Sequence, residues 1–264
     1  MRQGAAHPRV LVVLAVAGLG LFFILPLAGL LARASWAAVL RDLGSPAIRT
    51  ATGLSLICSA AATALAVVFG VPIAWLLARV PFPGRRLVRS LALLPLVLPP
   101  VVGGVALLLA FGRRGLVGTF LAETLGLRLA FTPAGTTLAE AFVAIPFLVI
   151  TVEAGLRSVD PGFEETAAAM GTGPWRVFRR VTLPLIAPSL LSGVALAWAR
   201  ALGEFGATIT FAGNVPSRTQ TLPLAVYGAL ETDPQAAVAL SLILLALSVA
   251  LLIVVGRRSQ VFAR

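Results

Sequence analysis

The sequence predicts an all-α, polytopic integral membrane protein with about six membrane-crossing helices. Three observations carry this. Hydrophobic residues make up 59% of the 264 positions and charged residues 12%, against about 45–50% and about 25% in an average soluble domain. Long uncharged runs recur along the chain, and arginines collect at their ends. A hydrocarbon core of about 30 Å takes about 20 apolar residues per helix, so this length holds six crossings and excludes a large extramembrane domain.

The spans are expected at residues 10–31, 51–78, 90–112, 134–156, 188–211 and 234–256. Val10–Leu31 is uncharged and follows Arg2 and Arg9. It is longer than the apolar segment of about 7–15 residues in a secretory leader, which predicts a retained first span. Ala51–Ala78 forms the second. The third contains Pro95, Pro99, Pro100 and the Gly103-Gly104 pair. Proline removes helix hydrogen bonds and glycine allows close backbone approach, so a kinked span is expected, either as a bending gate or as a packing kink without a role in transport. The fourth carries Glu140 and Glu153, expected at the two membrane interfaces in contact with water. The fifth starts near Pro188 and contains Arg200 and Glu204, four apart and hence on one helix face, where they can neutralise each other. Arg257-Arg258 is expected to stop the sixth.

Several chemistries are excluded by composition. All 21 basic residues other than His7 are arginine, so neither a phosphate-binding G-x-x-x-x-G-K-[ST] loop nor a lysine Schiff base is available. If ATP is used, another chain binds it. Cys58 is the only cysteine and His7, in the N-terminal tail, the only histidine. No intrachain disulfide, metal site or catalytic residue is expected. The net charge of +11 is assigned to anionic lipid headgroups rather than to nucleic acid. Arginines also set the orientation. With six spans, 13 fall on the side shared by both termini and 7 on the other, with Arg200 inside the membrane. The first side is expected to be cytoplasmic.

The longest cytoplasmic connection, residues 157–187, reads as two short helices. Asp160 is an N-cap, Pro161 suits the first helical position, and Glu164 and Glu165 lie near the positive end of the helix dipole. Gly171 can close the first helix in the left-handed conformation. Thr172 or Gly173 then caps a second helix with Pro174 near its start. Arg176, Arg179 and Arg180 lie toward its C-terminus, favourable for the dipole and for anionic lipid, and Pro184 and Pro188 are expected to end it. An alanine-rich face lets another protein approach closely. An interfacial loop without a partner is the alternative.

The spacing within this loop is specific. Glu165-Thr166-Ala167, three residues, Gly171, nine residues, then Val181-Thr182-Leu183-Pro184 resembles the EAA loop of ABC-importer permeases, E-A-A, three residues, G, nine residues, I-x-L-P. Thr166 and Val181 are its two departures. Leu94–Gly104, Ala201–Thr208, Thr210–Asn214 and Thr219–Tyr227 are similar to stretches of the molybdate/tungstate permeases, and the sulfate/thiosulfate permeases are related. The likeness runs over most of the chain from the second span onward.

The resemblance implies a type I ABC-importer permease fold in the inner membrane of a prokaryote, with both termini cytoplasmic. It implies that Glu164, Glu165, Thr166, Ala167, Met170 and Gly171 dock an ATPase subunit, with Val181, Leu183 and Pro184 completing the loop motif. A second permease copy, two ATPase subunits carrying ATP and Mg, and an external oxyanion-binding protein are the implied partners, besides membrane lipid. Pro99, Pro100, Gly103, Gly104, Arg200 and Glu204 are the gate or pathway candidates. Asn214 and Arg218 are candidates to meet the binding protein. Sulfate is the alternative substrate. An ion-coupled secondary transporter using Glu140, Glu153 or Glu204 as a proton relay is the alternative of another class.

Overall fold

A computed structural model describes the backbone of residues 8–42 and 44–262. Arg2, His7 and Arg264 lie outside the described residues. Thirteen α-helices are present there: α1 Pro8–Ala32, α2 Trp36–Asp42, α3 Pro46–Arg79, α4 Arg85–Val97, α5 Pro100–Phe111, α6 Gly118–Thr124, α7 Pro133–Ser158, α8 Gly162–Ala169, α9 Pro174–Val177, α10 Leu183–Leu202, α11 Gly206–Phe211, α12 Leu222–Thr232 and α13 Pro234–Phe262. Five helices are long and apolar enough to cross a membrane, or six if α4 and α5 count as one broken span.

The centre of the bundle is α3, α7 and α10. Ala62, Ala66, Ala74 and Leu77 of α3 meet Ala141, Ala144, Leu148, Val149, Val152 and Leu156 of α7, with Ile186, Ala197 and Ala201 of α10 completing the cluster. The residues at these crossings are small, as membrane helices require when dispersion contacts rather than water drive their packing. A Cβ added at Gly70 would stand 2.7 Å from Leu148 Cδ2, and one at Gly155 2.4 Å from Ser189 Cβ. Two polar anchors fix the register: Trp198 Nε1 donates to Ser59 Oγ at 2.9 Å, and Leu222 N donates to Ser55 Oγ at 2.7 Å. In contrast, α1 leaves its apolar side chains exposed, Phe22 by 74%, as suits a helix solvated by lipid.

The structure corrects four expectations about the spans. The third is two helices whose axes turn through 118°, where a single kinked helix was expected. Pro99 and Pro100 stand at the break, while Pro95 lies within α4. Consecutive prolines remove two donors, and the residue before each is pushed out of the helical region. The fifth span breaks after Leu202 and resumes as α11 from Gly206, instead of running to residue 211.

The fifth span also begins earlier than expected, because Pro184 and Pro188 do not end the preceding helix. The chain stays helical from Pro174 to Leu202 by widening to a π-turn over Phe178–Thr182, with Leu183 N–H bonded to Phe178 O. Such a turn absorbs an irregular residue without ending the helix. Lastly, α13 continues past Arg257-Arg258 to Phe262. Arginine is a good helix former, so charge ends the apolar run but not the helix.

Candidate functional site

The 157–187 segment folds as the expected helix–glycine–helix. Asp160 Oδ1 accepts the Gly162 N–H at 2.9 Å, which satisfies one of the orphan donors that open α8. At the other end, Gly171 has φ +78°. Its N–H bonds to Ala168 O and that of Thr172 to Ala167 O, which closes the helix carbonyls through a left-handed residue. Gly173 is the N-cap and Pro174 the first residue of α9.

This short unit is tied firmly to the spans. Glu164, placed by the sequence among residues that face a partner, turns inward. Its carboxylate accepts from Arg79 Nη2 at 3.2 Å and from the Thr182 hydroxyl at 2.8 Å, and its second oxygen lies 3.2 Å from Arg79 Nε as an ion pair. Arg79 Nη2 also donates to Val159 O at 3.2 Å. Glu164 is half-buried and Ala167, one turn on, is buried, while Glu165, Thr166, Ala168, Ala169, Met170 and Gly171 are exposed. So α8 has an inner edge bonded to α3 and the π-turn, and an outer surface of one acid, small residues and a methionine. The i, i+3 spacing of Glu164 and Ala167 puts both on the inner edge.

Next to this joint lies a second ionic cluster. Glu153, expected in water, is 1% exposed. It accepts a hydrogen bond from Arg157 Nη2 at 2.7 Å and forms an ion pair with Arg89 Nη2 at 3.3 Å. Arg157 also donates to Leu77 O at 3.3 Å, and Arg85 donates to the same carbonyl. Three helices, α3, α4 and α7, are thereby joined through one buried carboxylate. A buried charge persists only when it is paired and hydrogen-bonded. The Arg157 pairing lies at the local i, i+4 spacing, whereas the Arg89 contact was not legible because Arg89 sits on a different helix.

The gate candidates meet at the two broken spans. A Cβ at Gly104 would lie 2.7 Å from both Ala207 O and Thr210 Cβ, and one at Gly206 2.8 Å from Pro100 Cβ. The Gly103 position faces Phe142 of α7, 2.9 Å from its Cε1. Thus α5 and α11 pack backbone to backbone across a glycine seam. Arg200 Nη2 pairs with Glu204 Oε2 at 2.5 Å, and Glu204 Oε1 accepts the Ala207 N–H at 2.7 Å, which caps α11. Glu204 is therefore held on both oxygens. Glu140, also expected in water, is 1% exposed on α7, and its Oε2 has no hydrogen-bond partner.

Two further regions bear on function. Between α7 and α10 runs a groove of about 540 Å³ lined by Thr151, Ser158, Ser189 and Ser192 hydroxyls beside Gly155. On the far side of the bundle, Thr219 and Thr221 are buried inside their loop. Thr219 Oγ1 accepts Val215 N–H at 3.0 Å and donates to Gly213 O at 3.3 Å, so Thr219 builds the turn. Arg218 is exposed there and Asn214 half-buried. Among the described residues no group of three His, Cys, Asp or Glu is placed to hold a metal.

A multi-helix membrane protein with two broken spans and a rigid helix–glycine–helix on one end has the form of a transport permease. The chain belongs to the family described as binding-protein-dependent transport system inner membrane components, which matches residues 70–261. It is 46% identical over 254 residues to the molybdenum transport system permease protein ModB of Mycobacterium tuberculosis, covering 96% of each chain. It is 46% identical over 179 residues to the protein of that name in Escherichia coli, covering 68% of this chain and 78% of the other. The sulfate transport system permease protein CysT of Escherichia coli is 38% identical over 248 residues, with 92% and 89% covered. A crystal structure of a bacterial ABC transporter involved in the import of the acidic polysaccharide alginate shares the fold, with a TM-score of 0.74 at 18% identity over 97% of this chain and 96% of that one. The MetNI methionine ABC transporter, in inward-facing conformations, aligns with a TM-score of 0.63 at 20% identity over 83% and 97%.

Proposed function

We propose that this chain is the membrane-spanning subunit of an ATP-driven importer that passes molybdate or tungstate from an external binding protein to the cytoplasm. The observation that carries the substrate reading is the 46% identity to a molybdenum permease over 96% of both chains, against 38% to a sulfate permease. In this reading two copies of the single permease unit, residues 1–264, enclose the pathway. Two ATPase subunits, which bind ATP and Mg, dock on the outer surface of α8 at Glu165, Thr166, Met170 and Gly171 of each copy. Both termini lie in the cytoplasm, in keeping with 13 arginines on that side and 7 on the other.

The mechanism follows from how α8 is held. ATP binding draws the two ATPases together, and each carries α8 with it. Arg79 and Thr182 grip Glu164, so the displacement passes to α3 and to the helix that becomes α10, instead of being lost in a slack loop. Motion of α10 reaches the glycine seam between α5 and α11, where Pro99, Pro100, Gly103 and Gly104 on one side and Arg200 and Glu204 on the other form the gate. Hydrolysis reverses the motion.

A dianion cannot be dehydrated in hydrocarbon at tolerable cost, so its route is a wet cavity between helices. In the groove the Thr151 and Ser192 hydroxyls already donate to Phe147 O and Pro188 O, so the lining holds an oxyanion only weakly, as suits passage. Stimulation of ATP hydrolysis by molybdate-loaded binding protein, in the complex reconstituted in lipid, tests the reading. Stimulation by the sulfate-loaded protein alone would reassign the substrate. Uptake driven by a proton gradient without an ATPase would reject the importer class.

A further inference from the structure

We infer that the junction of α9 and the π-turn is a binding site for one anionic phospholipid. Its headgroup phosphate is held by Arg176, Arg179 and Arg180, and an acyl chain lies in the adjoining apolar slot. The observation is a pair of cavities that share Trp175. One, of about 320 Å³, is lined by Trp175 and those three arginines. The other, of about 330 Å³, is lined by Val71, Pro72, Trp75, Pro174, Trp175 and Phe178. They lie on adjacent faces of one helix, because positions 176, 179 and 180 point to one side of Trp175 and positions 174 and 178 to the other. A polar head joined to an apolar chain matches this division. A free oxyanion or a purely apolar ligand fills only half of it.

Charge and depth argue for lipid as the occupant. All three arginines are exposed, and none has an acidic partner among the described residues. An arginine fork matches phosphate oxygens bidentately. Trp175 is 70% exposed and stacks on Phe178 with ring centroids 5.8 Å apart. Trp75 stands one turn before Arg79, where the apolar part of α3 ends. Tryptophan and arginine gathered where apolar helices meet polar chain mark the headgroup level. The proposal requires only that this end of α3 lie at a membrane surface, so it is independent of the oxyanion reading. Phe178 opens the π-turn and Thr182 closes it while holding Glu164, so an occupied site pins this joint to the plane of the headgroups.

The test uses the full chain in nanodiscs of phosphatidylcholine containing a small fraction of brominated lipid, which quenches nearby tryptophan. Brominated phosphatidylglycerol is expected to quench Trp75 and Trp175 several-fold more than the same fraction of brominated phosphatidylcholine. The Trp75→Phe/Trp175→Phe variant identifies the signal from these two rings. Each arginine contributes about fivefold to affinity at such a surface. Arg179→Gln is therefore expected to weaken the preference about fivefold, and Arg176→Gln/Arg179→Gln/Arg180→Gln to abolish it. The three side chains are free, so these variants leave the fold intact. Equal quenching by the two lipids, or a preference that survives the triple substitution, overturns the proposal. So does displacement by millimolar inorganic phosphate or molybdate, which would make the site one for free oxyanions.

Discussion

Removing Arg79 is the sharpest single perturbation of the joint between α8 and the spans. Its guanidinium gives two contacts of 3.2 Å to Glu164 and one of 3.2 Å to Val159 O, and its side chain is 11% exposed against 19% for Glu164. In Arg79→Ala the Glu164 carboxylate keeps only the Thr182 hydroxyl, and the Val159 carbonyl loses its donor. An unmet buried polar group costs about 1–3 kcal/mol, and breaking a well-buried ion pair about 3–5. Both partners retain some access to water, so about 2–3 kcal/mol of local stability is the expected loss. Glu164→Ala leaves Arg79, the more deeply buried partner, with only Val159 O as acceptor and is expected to cost about as much. In a double-mutant cycle the pair should show coupling of about 1–2 kcal/mol.

Two readouts check this: thermal unfolding of the purified protein, and molecules of oxyanion moved per ATP hydrolysed by the reconstituted complex. Arg79→Ala is expected to lower the transport ratio more than the rate of hydrolysis, because the ATPase would then move a loosened α8. Additive effects of the two substitutions, or an unchanged transport ratio in Arg79→Ala, would refute the reasoning.

Further outcomes follow from the packing. Gly104→Ala places a methyl 2.7 Å from Ala207 O and Thr210 Cβ and should destabilise by about 1–3 kcal/mol. Gly53→Ala meets nothing within 4 Å and should be neutral or gain up to about 1 kcal/mol of helix propensity. Thermal unfolding of the two variants separates crowding at the seam from any general effect of replacing glycine. Because Cys58 is 1% exposed, Ser192→Cys supplies the single reactive thiol. It should react with a charged, membrane-impermeant maleimide, and molybdate should slow the reaction. Reaction with lipid-soluble reagents only would put the hydroxyl groove against lipid.

Much of this arrangement was legible in the residues. The 157–187 unit could be read because its signals are local. Asp160, Pro161, Gly171 and Pro174 each act within a turn of their own position, and capping chemistry does not depend on distant packing. The Arg200–Glu204 pair was visible for the same reason, at i, i+4. Glu153 has Arg157 at the same i, i+4 spacing, but its burial was not legible, since it also depends on Arg89 of α4, 64 positions away. The inward turn of Glu164 was not legible because helix periodicity gives relative faces only, and contact with Arg79 of α3 decides which face is inside. The prolines at 99 and 100 marked a disturbance in the third span. Whether it became a kink or a 118° turn is a matter of how α5 packs against other helices, which local residue signals do not carry. At Pro184 and Pro188 the reverse held, and the π-turn kept intact a helix that proline chemistry alone would have ended.

The central claim is that the outer surface of α8 is gripped by a separate ATPase. Copurification of the ATPase with the permease, compared between the natural chain and Glu165→Arg, measures this directly. Glu165 is exposed and has no side-chain partner among the described residues, so its reversal leaves the joint to α3 intact while changing the charge a partner would meet. Loss of the ATPase together with loss of oxyanion uptake, in a protein that unfolds at the same temperature, is the predicted result. Undiminished copurification and uptake in Glu165→Arg would contradict the account.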